Sequence, residues 1–190
     1  GGLRRIREIY HHEKRPAAAF GGSVSWLNLT REYIDYSMRH VGIGAGQLSG
    51  IRVVLDTMNG SAGPELLAGL DAAGVSVESV RTQPDGHFPS GSPNPISRGK
   101  MDNAIRLAGQ KNCQVAIGVD GDGDRLVFGD RRGILSAGFV AIPILKISGF
   151  DGSQLGRPGV LYDPKVNPQA LAEWSRLDVR PVLFRNGHSQ

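Results

Sequence analysis

Between residues 51 and 135, short apolar runs rich in β-branched residues alternate with segments of helical pattern. That alternation restricts the chain to a layered α/β fold. Ile51–Asp56 (IRVVLD) reads as a buried strand. A glycine-containing loop, 57–63, leads to Pro64, which suits the first turn of a helix running to Ala73. Gly74 stops that helix, and Val75–Val80 is a second strand. The loop from Thr82 to Gly99 carries Asp85-Gly-His-Phe-Pro89 and Ser92-Pro-Asn-Pro95, and its prolines exclude regular structure. A helix over Asp102–Lys111, a strand over Gln114–Val119, the segment Asp120–Arg125, a strand over Leu126–Gly129 and a polar turn at 131–133 follow. This order predicts a parallel or mixed sheet flanked by helices.

The flanks are different. Leu3, Ile6, Ile9 and Tyr10 lie at helical spacing within 3–13, and Pro16 ends that pattern. Thr30 is the expected N-cap of a helix reaching Val41, with Tyr33, Ile34 and Met38 facing inward, and Gly42–Gly50 is a connector. Beyond the central unit, Phe139–Ile147 is expected to be helical despite Pro143, and Gly149–Gly156 reads as a linker. Val160–Asp163, Pro168–Leu177 and Pro181–Phe184 then form one more strand–helix–strand unit. The chain opens on Gly1 and closes within this unit at Gln190, so it is expected to be a piece of a longer protein.

Charge invites a nucleic-acid reading, since the net value is +4. The distribution argues against it. Residues 1–40 hold seven Lys or Arg against four acids, whereas 41–150 hold ten of each. The excess around Arg4, Arg5, Arg7, Lys14 and Arg15 is interleaved with Glu8 and Glu13, as on a solvated helix face. Aromatic residues make up only 6% of the chain, too few for a base-stacking platform, so no nucleic-acid partner is expected. No apolar run reaches membrane-spanning length and no signal peptide is evident, so no membrane partner is expected either. The single cysteine, Cys113, excludes an intramolecular disulfide and favours a reducing, cytoplasmic setting; it reads as a small apolar core residue.

The strongest chemical signal is Asp120-Gly-Asp122-Gly-Asp124-Arg125, placed at the end of a buried strand. Alternation with glycine lets a tight loop turn three carboxylates toward one point, where they repel one another unless a cation neutralises them. An all-oxygen set selects a hard ion, Mg²⁺ or Ca²⁺. Strand ends are where ligand sites of open α/β sheets gather. A calcium EF-hand would need Gly at the position of Arg125 and Glu at that of Arg131, so that reading fails. A haloacid-dehalogenase-type Asp pair fits poorly, because Gly123 follows Asp122 and the motif comes late. Arg125 beside a hard cation is what a transferring phosphoryl group needs, and it also balances the aspartates. Loop 57–63 lacks a Gly-Lys-Ser/Thr ending and loses a donor at Pro64, so it reads as a structural turn rather than a phosphate cradle.

These residues carry a resemblance. DGDGDR followed by LVFGDRRG resembles the metal-binding loop of the α-D-phosphohexomutases, the phosphomannomutase/phosphoglucomutase enzymes and their phosphoglucosamine mutase relatives. Val54–Gly63, Asp85–Pro89 with Ser92–Pro95, Tyr162–Lys165 and Gly187-His-Ser189 resemble further family segments, in the family's order. The resemblance implies a three-layer αβα domain with a mixed sheet over 29–135, a C-terminal remnant of a first domain over 1–28, and the truncated start of a third over 136–190. Two departures stand out, Asn186 where Thr is usual and Phe139 where Asp commonly follows Gly.

By resemblance, Asp120, Asp122 and Asp124 would hold Mg²⁺, with a further ligand from a phosphoserine upstream of this chain. Arg125 would contact the moving phosphoryl group, and Lys165, Gly187 and His188 would reach the substrate. The implied reaction interconverts hexose 1-phosphate and 6-phosphate through a hexose 1,6-bisphosphate, with the absent domains as partners and this stretch inactive alone. Taken without the family, Lys165 and His188 read as solvated or structural, and His11, His12, His40 and His87 as surface residues. The competing readings are a non-catalytic metal-binding or assembly module and, at longer odds, a basic nucleic-acid binder.

Overall fold

The sheet is built around β1, Arg52–Asp56, whose last four residues are all buried. The computed structural model describes residues 2–12, 21–147, 159–177 and 179–184. β1 lies between β2 (Ser76–Val80) and β3 (Val115–Val119), parallel to both, and its neighbours are reached through helices α3 (Gly63–Ala72) and α4 (Asp102–Gln110). A crossover helix is what a parallel pair requires. β4 (Leu126–Asp130) then returns antiparallel to β3, and β5 (Gly133–Ile134) extends the hairpin, giving the order β2-β1-β3-β4-β5. The sheet is therefore mixed, as expected, with β5 as the one strand in it that the sequence reading assigned to no element.

Two clusters make the core, one on each face of the sheet. Val54, Ala116 and Val127 pack with Met58, Met101, Ala104 and Ala108 beneath α4, and Cys113 is partly buried against them. On the opposite face Val53, Ala73 and Val75 pack with Met38, Ile43, Leu48 and Leu70, which α2 (Thr30–Val41), the 42–51 connector and α3 supply. Val53 and Val54 thus serve opposite layers, as strand alternation dictates. The result is the expected three-layer α/β arrangement.

Two expectations at the flanks need correction. Thr30 does not cap α2 with its side chain; its amide instead donates to Asn28 Oδ1 at 3.0 Å, so the asparagine two residues upstream satisfies the free donor. Tyr33 is 60% exposed, whereas Ile34 is buried and Met38 packs against the cluster of Val53, Ala73 and Val75. Helix α1 (Gly2–His12) forms where the spacing predicted, and none of its residues is buried, as a solvated face requires.

Beyond β5, α5 (Ala137–Ile147) runs through Pro143 as expected. The parallel pair β6 (Gly159–Tyr162) and β7 (Arg180–Leu183) is joined by α6 (Pro168–Ser175). Asn167 caps α6 by accepting from Gln169 N at 2.8 Å. Buried Trp174 ties α6 to α5 by donating to the Gly138 carbonyl at 2.8 Å. Linker 149–156 lies outside the described residues.

Candidate metal centre

Residues 120–125 form the connection of the β3–β4 hairpin, where Val119 stands opposite Leu126. Two bonds close the turn: Asp120 N donates to Arg125 O at 3.3 Å, and Gly123 N to Asp120 O at 3.2 Å. Asp120 is 1% exposed, while Asp122 and Asp124 are open to solvent. One carboxylate oxygen from each of the three lies within 4.8 Å of the others. The sequence-predicted convergence is therefore present.

The glycines have a sharper role than freedom of the loop. Gly123 adopts φ +80°, which L side chains rarely take up, and a Cβ there would stand 2.8 Å from Ala62 Cβ. A Cβ on Gly121 would meet Pro93 Cγ at 2.8 Å. The loop is thus wedged between the 57–63 turn and the proline-rich loop, and only glycine passes. From the other side, a Cβ on Gly60 would stand 2.8 Å from the carbonyl oxygens of Asp120 and Gly121. Ser61 donates to Gly121 O from its amide at 3.0 Å. The 57–63 segment is therefore a buttress for the acidic loop, consistent with a structural turn.

Asp120 anchors the electrostatics. Its Oδ1 accepts the Arg125 amide at 3.0 Å. Its Oδ2 is buried and accepts no hydrogen bond, although Arg125 Nε approaches to 2.6 Å as an ion pair. Arg125 Nε also reaches Asp124 Oδ1 at 3.4 Å. Burial pushes the carboxyl of Asp120 up, but the Arg125 amide and guanidinium outweigh it, so it lies below the ordinary range. Reciprocally, the Asp120 charge holds the Arg125 guanidinium above its usual value. Three carboxylates whose oxygens converge within 4.8 Å, one of them buried, make an all-oxygen cluster that fits a hard cation. Asp120, Asp122 and Asp124 are the residues that could hold it.

Lys165 is exposed in the turn after β6, where its amide donates to Asp163 Oδ1 at 2.7 Å. Among the described residues it shares no hydrogen bond or ion pair with the acidic loop. Gly187 and His188, with Asn186, lie outside the described residues. His87 is exposed, with Nδ1 3.1 Å from Asp85 Oδ1, in keeping with its surface reading.

The sequence reading missed one pair beside the centre. Asp56, fully buried at the end of β1, is held by the guanidinium of Arg81, whose Nε donates to Oδ1 at 2.9 Å and Nη2 to Oδ2. The available signal was an aspartate closing an otherwise apolar buried strand, since a buried charge demands a partner.

Comparisons with known proteins bear on the family and the fold. The profile of phosphoglucomutase/phosphomannomutase, α/β/α domain II, matches residues 31–133, just over half of the chain. A phosphomannomutase of Escherichia coli is 28% identical over 195 residues, covering 99% of this chain and 42% of the relative. A phosphomannomutase/phosphoglucomutase of Pseudomonas aeruginosa is 27% identical over 183 residues, covering 93% and 37%. The crystal structure of a phosphoglucomutase/phosphomannomutase family protein from Burkholderia thailandensis superposes with a TM-score of 0.77 at 22% identity, over 100% of this chain and 40% of that one. The chain thus spans about two fifths of the length of these relatives. A family-specific domain match over the residues that carry the acidic loop, together with the shared fold, makes the chain a member of the phosphoglucomutase/phosphomannomutase family.

Proposed function

We propose that these residues form the metal-bearing portion of a phosphohexomutase that interconverts hexose 1-phosphate and hexose 6-phosphate of mannose or glucose. The observation that carries the reading is the convergence of Asp120, Asp122 and Asp124 within 4.8 Å of one another, with Asp120 buried and Arg125 alongside. In this reading residues 29–135 are the metal-carrying domain, 1–28 the end of a preceding one and 136–190 the start of a following one. The protein acts in the cytoplasm.

Asp120, Asp122 and Asp124 would hold Mg²⁺, which when bound supplies positive charge against a phosphoryl group in transfer. Asp120 is positioned for this by the Arg125 amide, and its depressed pKa keeps it ionised at neutral pH. The Arg125 side chain is 59% exposed, so it is free to turn from Asp120 and Asp124 toward an incoming phosphate. Lys165, Gly187 and His188 would contact the sugar phosphate. The phosphoserine that donates to the hexose phosphate, and receives a phosphate back from the bisphosphate, is supplied from outside these residues.

Calorimetric titration of the chain with Mg²⁺ tests the site. Binding is expected, and Asp122→Ala is expected to abolish it; equal affinity in that variant would overturn the metal reading. A coupled mutase assay with glucose 1-phosphate and glucose 1,6-bisphosphate is expected to show no turnover by the 190 residues, and turnover would overturn the need for an outside phosphoserine. Metal binding without mutase activity in the whole protein would point to a non-catalytic module instead.

A further inference from the structure

Three non-glycine residues beside the acidic loop hold left-handed backbone: Met58 at φ 54°, Asn59 at 63° and Arg81 at 48°. Such conformations persist only where the surroundings over-determine them. All three belong to one bracket. The Arg81 guanidinium grips both oxygens of Asp56, and its Nη2 also donates to the Lys100 carbonyl at 3.2 Å. Asp56 Oδ1 additionally accepts the Met58 amide at 3.0 Å. The Arg81 carbonyl meanwhile accepts Thr57 Oγ1 at 3.0 Å and the Asn59 amide at 2.8 Å. One arginine therefore fixes 56–59 from both its side chain and its backbone.

The bracket ends on the acidic loop. The turn that Arg81 secures continues into Gly60 and Ser61, which abut Asp120 and Gly121 as described above. Asp56 itself stands opposite Gly118 on β3, two residues before Asp120. A buried ion pair is a poor means of adding stability, because desolvation offsets its Coulomb gain. A bidentate grip is better suited to fixing position.

We propose that Arg81, clamped on Asp56, is a positioning residue for the acidic loop. It seats the 57–61 turn against which Asp120 and Gly121 rest, and so sets how tightly the three aspartates hold a divalent cation. The inference rests on the metal reading of that loop.

The test measures Mn²⁺ affinity of the full 190-residue chain by electron paramagnetic resonance, well below the melting temperature of every variant. Replacing the pair together, Asp56→Asn with Arg81→Met, leaves no unpaired buried charge. It is expected to weaken Mn²⁺ binding at least tenfold. Met38→Ala, which loosens the core on the opposite face of the sheet, is expected to lower the melting temperature while leaving Mn²⁺ affinity within twofold. A folded double variant with affinity within twofold of the parent would overturn the proposal, and so would an equal loss in Met38→Ala. If the double variant does not fold, Arg81→Lys, which keeps a cation beside Asp56 but not the fork, takes its place. A threefold or greater loss is then the expected result, and a smaller change overturns the proposal. Asp122→Asn separates the two levels: if the parent does not bind Mn²⁺, or Asp122→Asn binds as the parent does, the metal reading falls and this inference with it. If Asp122→Asn loses binding and the pair variant does not, only the positioning role falls.

Discussion

Arg125 engages Asp120 twice, through its backbone amide at 3.0 Å to Oδ1 and through Nε at 2.6 Å to Oδ2. The two contacts have different consequences. The amide bond sits within the hairpin turn and orders it, whereas the side chain, itself 59% exposed, balances the buried Asp120 carboxylate. Arg125→Met is therefore expected to lower the thermal unfolding midpoint of the chain at neutral pH, because it leaves the buried Asp120 carboxylate without its guanidinium. If the proposed mutase reading holds, loss of a charge-stabilising donor at the transferring group is expected to lower kcat of the whole protein by about 10²–10³-fold. Steady-state kinetics beside calorimetric unfolding check both halves.

The three aspartates are expected to separate in stability as well as in binding. Asp122 and Asp124 are open to solvent, and without a cation their main effect is mutual repulsion. Asp122→Asn and Asp124→Asn should leave the metal-free chain as stable as the parent or slightly more so. Asp120→Ala removes the acceptor of the Arg125 amide in a buried position and should cost about 1–3 kcal/mol. Chemical denaturation in the presence of a chelator measures all three. Equal destabilisation by the three variants would contradict the division into one anchor and two open ligands.

Much of this was legible beforehand because it is local. The apolar runs that became β1, β2, β3 and β4 declare themselves through β-branched content, and the DGDGD spacing states its chemistry without any tertiary knowledge. What was not legible depends on packing between segments far apart in sequence. The wedge of Gly121 against Pro93 joins two loops, and the Asp56–Arg81 pair joins the ends of two strands 25 residues apart. Tyr33 was misplaced for the same reason, since helical spacing gives the apolar stripe but not its width. The β5 strand is too short, at two residues, to carry a periodic signal.

Glycine at 123 is required twice over, by its φ of +80° and by Ala62 standing 2.8 Å from any Cβ. Gly123→Ala is expected to cost about 1–2 kcal/mol from the left-handed backbone alone, with the contact adding to it. Pairing it with Ala62→Gly should relieve the contact and leave the backbone penalty. A double-mutant cycle by urea unfolding separates the two contributions, and strict additivity would show that the Ala62 contact is not felt.

The α5–α6 junction can be followed with tryptophan, because the chain has two and they differ in surroundings. Trp174 is 4% exposed and donates to Gly138 O, while Trp26 is 97% exposed. In a Trp26→Phe background the emission should be blue-shifted and shielded from acrylamide, since the remaining indole is buried and hydrogen-bonded. Gly138 faces Ala170 so closely that a Cβ would meet Ala170 Cβ at 2.8 Å. Gly138→Ala in that background should overpack the junction at a cost of about 1–3 kcal/mol. The added methyl pushes α6 away from the carbonyl that Trp174 contacts, so the emission should move to the red and quenching should rise. The Mg²⁺ titration should be unaffected, because Asp120 is seated by the 57–61 turn and not by α5. Unchanged fluorescence in Gly138→Ala would mean that α6 is not held against α5 at this contact.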